Sequence, residues 1–186
     1  MELTLQGLKQ AEGWKQAGYS LPEYDIPAVA ARTREMPRWI HFGAGNIFRA
    51  FQANVAQELL NRGVLDTGLI AAEGYDYEII EKMYRPHDNL SILATLRADG
   101  AVEKTVVGSI LESLILDSGD AEEYDRLKEI FRAPSLQMAS FTITEKGYSL
   151  TSAKGEPPFD IAYDFTHGPK APKSYLGKVS SLIYER

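Results

Sequence analysis

Along this 186-residue chain the hydrophobic pattern changes period several times, and each change marks an element. Residues 1–36 carry Gly, Ser and Pro at irregular intervals with weak periodicity, which predicts an arm with one or two short helical pieces outside the core. Arg38-Trp39-Ile40-His41-Phe42 then predicts a strand stopped by Gly43, after which Ile47, Ala50, Phe51, Val55 and Leu59 recur at helical spacing. Asn46 is placed to cap that helix, Arg62 to meet the negative end of its dipole, and Gly63 to take the left-handed position after its last turn. Leu69-Ile70-Ala71-Ala72 predicts a second strand ending at Glu73-Gly74-Tyr75-Asp76, and Ile79, Ile80 and Met83 a short helix stopped before Pro86. Strand, glycine turn, helix, strand, helix is the order that builds a parallel sheet.

The alternation then breaks. Leu90 to Leu96 and Val102 to Ile110 read as two strands around Asp99-Gly100, a hairpin inserted into the sheet or lying at its edge. Asp120 to Phe131 predicts a charged amphipathic helix, and Leu136 to Thr144 an apolar strand that resumes the sheet and leads into Glu145-Lys146-Gly147-Tyr148. Lys154-Gly155-Glu156-Pro157-Pro158 and the Pro-spaced stretch to Pro172 read as loop, before a last helix holding Leu176, Val179, Leu182 and Ile183. The fold class this predicts is α/β: a Rossmann-like, doubly wound, mostly parallel sheet with helices on both faces and an antiparallel hairpin insertion. Residues 1–36 form the arm of that scheme and residues 37–186 a dinucleotide-binding domain.

Composition narrows the chemistry. At 44% hydrophobic and 25% charged residues the chain has ordinary globular usage. No stretch approaches the ~20 apolar residues of a membrane span, and Met1 to Gly13 is too polar for a signal peptide, so a cytoplasmic location is expected. With no cysteine, disulfides, thiolate catalysis and thiolate metal sites are excluded. The net charge of −6 repels nucleic acid and anionic membrane, and neither is expected as a partner. A helix N-terminus still presents local positive potential, so the charge does not argue against an anionic cofactor.

The first candidate site is Gly43-Ala44-Gly45-Asn46-Ile47, in which one glycine permits a tight turn and the next lets a pyrophosphate approach the backbone. Phe48 stands where the generic fingerprint has a third glycine. Arg49, one turn into the helix, is placed either to pair with phosphate or to sit in solvent. Glu73 and Asp76, at the end of the second strand, are placed to accept hydrogen bonds from the adenosine ribose, and a carboxylate there disfavours a 2′-phosphate, which favours NAD over NADP. The third candidate is Thr142-Ile143-Thr144-Glu145-Lys146-Gly147-Tyr148, at the end of a strand, where open α/β sheets place ligand crevices. For Lys146 and Tyr148 the residues by themselves favour a solvated lysine and a packed aromatic over a role at the cofactor. Tyr175 and Lys178 are not spaced as a helical tyrosine–lysine acid–base pair and read as surface residues. His41, His87 and His167 show no metal-ligand spacing, so no metal is proposed, and no serine sits in a nucleophile elbow.

These stretches together resemble the polyol-specific long-chain dehydrogenases, the family of mannitol 2-dehydrogenase and fructuronate reductase (D-mannonate oxidoreductase). His41-Phe42-Gly43-Ala44-Gly45-Asn46-Ile47-Phe48-Arg49-Ala50 is similar to the family's first strand–helix turn, which does not require the third glycine. Val107-Gly108-Ser109-Ile110 resembles the strand after its hairpin, which puts Ser109 beside the cofactor, and Thr142 to Tyr148 resembles its most recognisable internal motif. The resemblance implies NAD(H)-dependent, metal-free interconversion of a sugar alcohol or aldonate and its ketose or ketouronate, with D-mannonate/D-fructuronate ahead of mannitol/fructose. It also implies a catalytic lysine in a separate helical domain expected beyond Arg186. No residue of this chain is therefore given a catalytic role, and the 186 residues alone are expected to be inactive. The alternative from another class is a stand-alone Rossmann-like module that binds a nucleotide as a sensor and catalyses nothing.

Overall fold

The computed structural model describes residues 1–144 and 147–186. In chain order the elements are α1 (Leu5–Leu8), α2 (Ala11–Gln16), β1 (Tyr19–Ser20), α3 (Ile26–Glu35), β2 (Trp39–Phe42), α4 (Asn46–Ala50), α5 (Gln52–Asn61), β3 (Leu69–Glu73) and α6 (Tyr77–Ile79). After α6 a turn of π-helix (Ile80–Tyr84) leads to β4 (Ser91–Leu96), β5 (Val102–Val107), β6 (Ile110–Ile115), α7 (Ala121–Arg132), β7 (Met138–Phe141), α8 (Phe159–His167) and α9 (Tyr175–Tyr184).

The main sheet runs β6-β3-β2-β7 with every pair parallel, Trp39 lying opposite Leu69 on one side and Met138 on the other. Alternation along the strands feeds two cores, as expected of a sheet covered on both faces. Ile40, Phe42, Ile70 and Ala72 pack with Leu127, Ile130 and Leu182 of α7 and α9. Leu69 and Ala71 pack with Phe48, Ala53, Ala56 and Tyr84 on the opposite face. The α/β architecture read from the sequence is the one observed.

Several elements differ from the sequence expectation. The helix after Gly43 is broken at Phe51 (φ −104°, ψ −75°) into α4 and α5. Its N-cap is Gly45, so Asn46 is the first helical residue and not the cap. The C-terminal end is as read: Gly63 has φ 66°, and Val64 N–H donates to Leu59 O at 2.9 Å in a Schellman closure. The hairpin forms, with Leu96 opposite Val102, but its second strand ends at Val107. The chain turns a corner at Gly108 and Ser109 and begins a separate strand, β6, in the main sheet. Nor do residues 1–36 lie outside the cores: β1 pairs in parallel with β5 to give a three-stranded sheet β1-β5-β4, and Trp14 and Ile26 build a third core with Leu90 and Val106. The Pro-spaced stretch contains α8, which Pro158 starts by occupying its N-cap. No described helix is long and apolar enough to cross a membrane.

Candidate functional site

From β2 the sheet grows towards β3 on one side and β7 on the other, so the connections leaving their C-terminal ends diverge and open a crevice at that switch point. A cleft of about 480 Å³ lies there, lined by Gly43, Gly45, Glu73, Tyr75, Thr142 and Thr144 among others. The glycine turn and the loop after β7 thus meet across one opening, as their places at strand ends predict.

Within the turn the two glycines do different things. Gly43 has φ 111°, which side chains rarely adopt, and a Cβ on it would lie 2.7 Å from Thr142 O. Gly45 has ordinary extended dihedrals (φ −74°, ψ 179°), and a Cβ on it would meet nothing within 4 Å. The absence of a side chain at Gly45 therefore serves open space in the cleft and not the fold. The peptides before it are pinned: Gly43 N–H donates to Ala72 O at 2.8 Å, Ala44 N–H to Glu73 Oε2 at 2.8 Å, and Ala44 O accepts from Tyr84 Oη at 2.8 Å. Among the described residues the amides of Gly45, Asn46, Ile47 and Phe48 find no partner, as at the exposed start of a helix. Fixed donors at a helix N-terminus beside a position free of Cβ are an arrangement that can receive an anionic group.

Beneath the turn, His41 is fully buried between β2 and β7, its Nδ1 2.7 Å from Ser140 Oγ and its Nε2 2.8 Å from Thr142 Oγ1. Trp39 Nε1–H donates to the same Ser140 Oγ at 2.7 Å, and the imidazole stacks on Phe48 with ring centroids 4.0 Å apart. Burial pulls the His41 pKa down to about 4, so the ring is neutral and suits this chain of hydroxyl partners. His41 is a structural histidine that ties β7 to the floor of the turn.

Glu73 reaches the cleft, but its carboxylate is already engaged. Besides Ala44 N–H on Oε2, its Oε1 accepts from the amides of Gly74 (3.0 Å), Tyr75 (2.9 Å) and Asp76 (3.3 Å). It organises the loop, and Asp76, exposed and with no partner for its carboxylate among the described residues, is the acid left free at the end of β3. Thr142 and Thr144 line the cleft, while Glu145 and Lys146 lie outside the described residues. Ile47 is exposed beside the free amides. Arg49 faces a neighbouring hollow with Asn46 and His87, hydrogen-bonded to Asn46 Oδ1 and set over the Tyr84 ring at 5.7 Å.

Ser109 is not at the cleft. It is fully buried at the start of β6, its hydroxyl donating to Ala53 O and its carbonyl accepting from Leu69 N–H, at the end of the sheet opposite Glu73. Tyr175 and Lys178 are not surface residues either: both are at least nine-tenths buried, and Lys178 Nζ sits 3.2 Å from Tyr77 Oη and 3.5 Å from Asp117 Oδ1. Tyr75 was absent from the sequence-derived set, though its place two residues after Glu73, between the two candidate acids at a strand end, was the available signal. Among the described residues no group of three metal-ligating side chains comes together.

No protein-family model matches the chain. Over all 186 residues it is 45% identical to D-mannonate oxidoreductase of Thermotoga maritima. It is 31% identical over 157 residues to the D-mannonate oxidoreductase of Escherichia coli. Among solved structures it matches mannitol 2-dehydrogenase of Pseudomonas fluorescens, in ternary complex with NAD and D-mannitol, with a TM-score of 0.77 and 27% identity over the whole of this chain and 36% of that one. The chain spans about a third of the length of the curated relatives it matches, 34% of the Thermotoga protein and 30% of the Escherichia coli protein.

Proposed function

The chain belongs to the mannitol dehydrogenase family, aligning with about a third of its relatives' length, and from that premise we propose that residues 1–186 hold NAD(H) for an oxidoreductase acting on a sugar acid. The observation that carries the reading is that the amides of Gly45, Asn46 and Ile47 have no partner among the described residues, at a turn where Gly45 lines the cleft and presents no side chain. In this reading those amides take the pyrophosphate, Asp76 accepts from the adenosine ribose, and Thr142 and Thr144 line the opposite wall. Glu73 acts through the backbone, holding the turn and the ribose loop in one arrangement. When bound, NAD+ supplies a two-electron acceptor for the hydride of a secondary alcohol.

The family resemblance and the 45% identity to a D-mannonate oxidoreductase favour D-mannonate/D-fructuronate as the substrate pair, with mannitol/fructose next. Hydride transfer needs the alcohol carbon held against the cofactor, and we assign that task, and the acid–base group, to a part of the protein outside these residues. The 186 residues alone bind cofactor and turn nothing over. A cytoplasmic location belongs to the same proposal.

Two measurements test it. Calorimetric titration of the 186-residue chain gives saturable binding of NADH, tighter than NADPH; no heat at millimolar NADH overturns the cofactor reading. The protein isolated from its source oxidises D-mannonate with NAD+ faster than D-mannitol; the reverse order overturns the substrate assignment and leaves the cofactor reading intact.

A further inference from the structure

The cofactor cleft has one wall that the glycine turn and the carboxylates do not explain. Tyr75 lines it and is 59% exposed, a large aromatic surface left in water beside the proposed ribose acid. Its ring lies parallel to that of Tyr175, with an interplanar angle of 2° and centroids 4.6 Å apart. Tyr175 is buried, at 8% exposure, in the core with Leu116 and Val179. Gly74 makes the approach possible, since a Cβ there would lie 2.6 Å from Tyr175 Cε2. One face of Tyr75 is therefore backed by a ring fixed in the core, and among the described residues no ring stacks on the other.

The backbone beneath Tyr75 is held as firmly. Its N–H donates to Glu73 Oε1 at 2.9 Å, and the other oxygen of the same carboxylate takes Ala44 N–H from the glycine turn at 2.8 Å. A single side chain thus fixes the aromatic wall relative to the phosphate cradle. Tyr75 stands next to Asp76 at the end of β3, the side of the switch point where the adenosine half of a dinucleotide lies.

Resting on the cofactor assignment above, we infer that Tyr75, backed by Tyr175, is the stacking platform for the adenine base. A base laid on the exposed face of Tyr75 extends a stack whose lower ring the core holds, so little side-chain freedom is lost on binding. The platform recognises a flat π-face and leaves discrimination at the 2′-position to Asp76.

The test compares wild type with Tyr75→Ala and Tyr75→Phe against three ligands: NADH, ADP-ribose, which keeps the adenosine half, and reduced nicotinamide mononucleotide, which lacks it. Tyr75→Ala raises the Kd of NADH and ADP-ribose about tenfold and leaves the mononucleotide unchanged, while Tyr75→Phe, which keeps the ring, binds all three as wild type does. Thermal midpoints of the variants close to wild type establish that the site is folded. Unchanged NADH and ADP-ribose binding by Tyr75→Ala overturns the platform and leaves the cofactor reading standing, and so does an equal loss for the mononucleotide. Wild-type protein that binds neither NADH nor ADP-ribose overturns the cofactor reading, and the platform with it.

Discussion

Replacing Gly43 or Gly45 by alanine adds the same methyl group to the same turn, yet the two substitutions are expected to fail in different ways. At Gly43 the φ of 111° strains any L-residue, a cost of about 1–3 kcal/mol, and the new Cβ would stand 2.7 Å from the backbone carbonyl of Thr142, which has no rotamer to give way. Together these place the loss near 3 kcal/mol, which for a domain of this size lowers Tm by about 6–12 °C. At Gly45 the dihedrals suit alanine and the methyl enters open space, so the cost is that of a poorer N-cap, under about 1 kcal/mol. That methyl stands where the pyrophosphate must approach, and the NADH Kd rises at least about tenfold. Thermal unfolding followed by circular dichroism, with calorimetric titration of the same samples, separates the two effects. If Gly45→Ala bound NADH like wild type, or lost as much Tm as Gly43→Ala, the division of labour drawn from the turn would be wrong.

Glu73→Gln sets an amide NH₂ against backbone donors that now share a carboxylate, and is expected to cost about 2 kcal/mol in urea unfolding; a change within experimental error would mean those donors are not shared in solution. Asp76→Asn touches no internal bond, so stability holds within about 0.5 kcal/mol while the preference for NADH over NADPH narrows, and an unchanged ratio of Kd values would remove Asp76 from the site. The His41 pKa, about 4 in the folded protein against an ordinary 6.5, makes stability complete above pH 6.5 and lost progressively as pH falls towards 4, by about 3 kcal/mol in all. The sign follows because the unfolded chain takes up the proton first. A His41 imidazole signal, assigned by its loss in His41→Gln, that titrates near pH 6.5 in the folded protein would refute it.

Much of the parallel sheet was legible because β2, β3 and β7 are short apolar runs bounded by glycine or charge, and α7 carries a charged face. The strand β6 was hidden because only Gly108 and Ser109 separate it from the hairpin, and Glu112 and Ser113 interrupt its apolar pattern. The resemblance put Ser109 beside the cofactor, whereas it lies at the corner between the two sheets, at the end of the main sheet opposite Glu73. The pairing of Tyr19 with Lys104 and Ser20 with Thr105 is a contact between distant segments, and no local period announces it. That Gly43 and Gly45 make a turn between β2 and the following helix was readable from turn chemistry. The engagement of Glu73 was not, because which amides face a carboxylate depends on where β2 and β3 bring their loops. Tyr175 and Lys178 were misread as exposed because their burial comes from packing α9 against α7 and the end of β3.

Backbone amide shifts recorded while NADH is titrated into the 186-residue chain test the central claim most directly. The account predicts saturable shifts at Gly45, Asn46 and Ile47, with further shifts at Tyr75, Asp76 and Thr144 and none at Ser109 on the far end of the sheet. Shifts confined to α8 and α9, or no saturable shift at millimolar NADH, would contradict it.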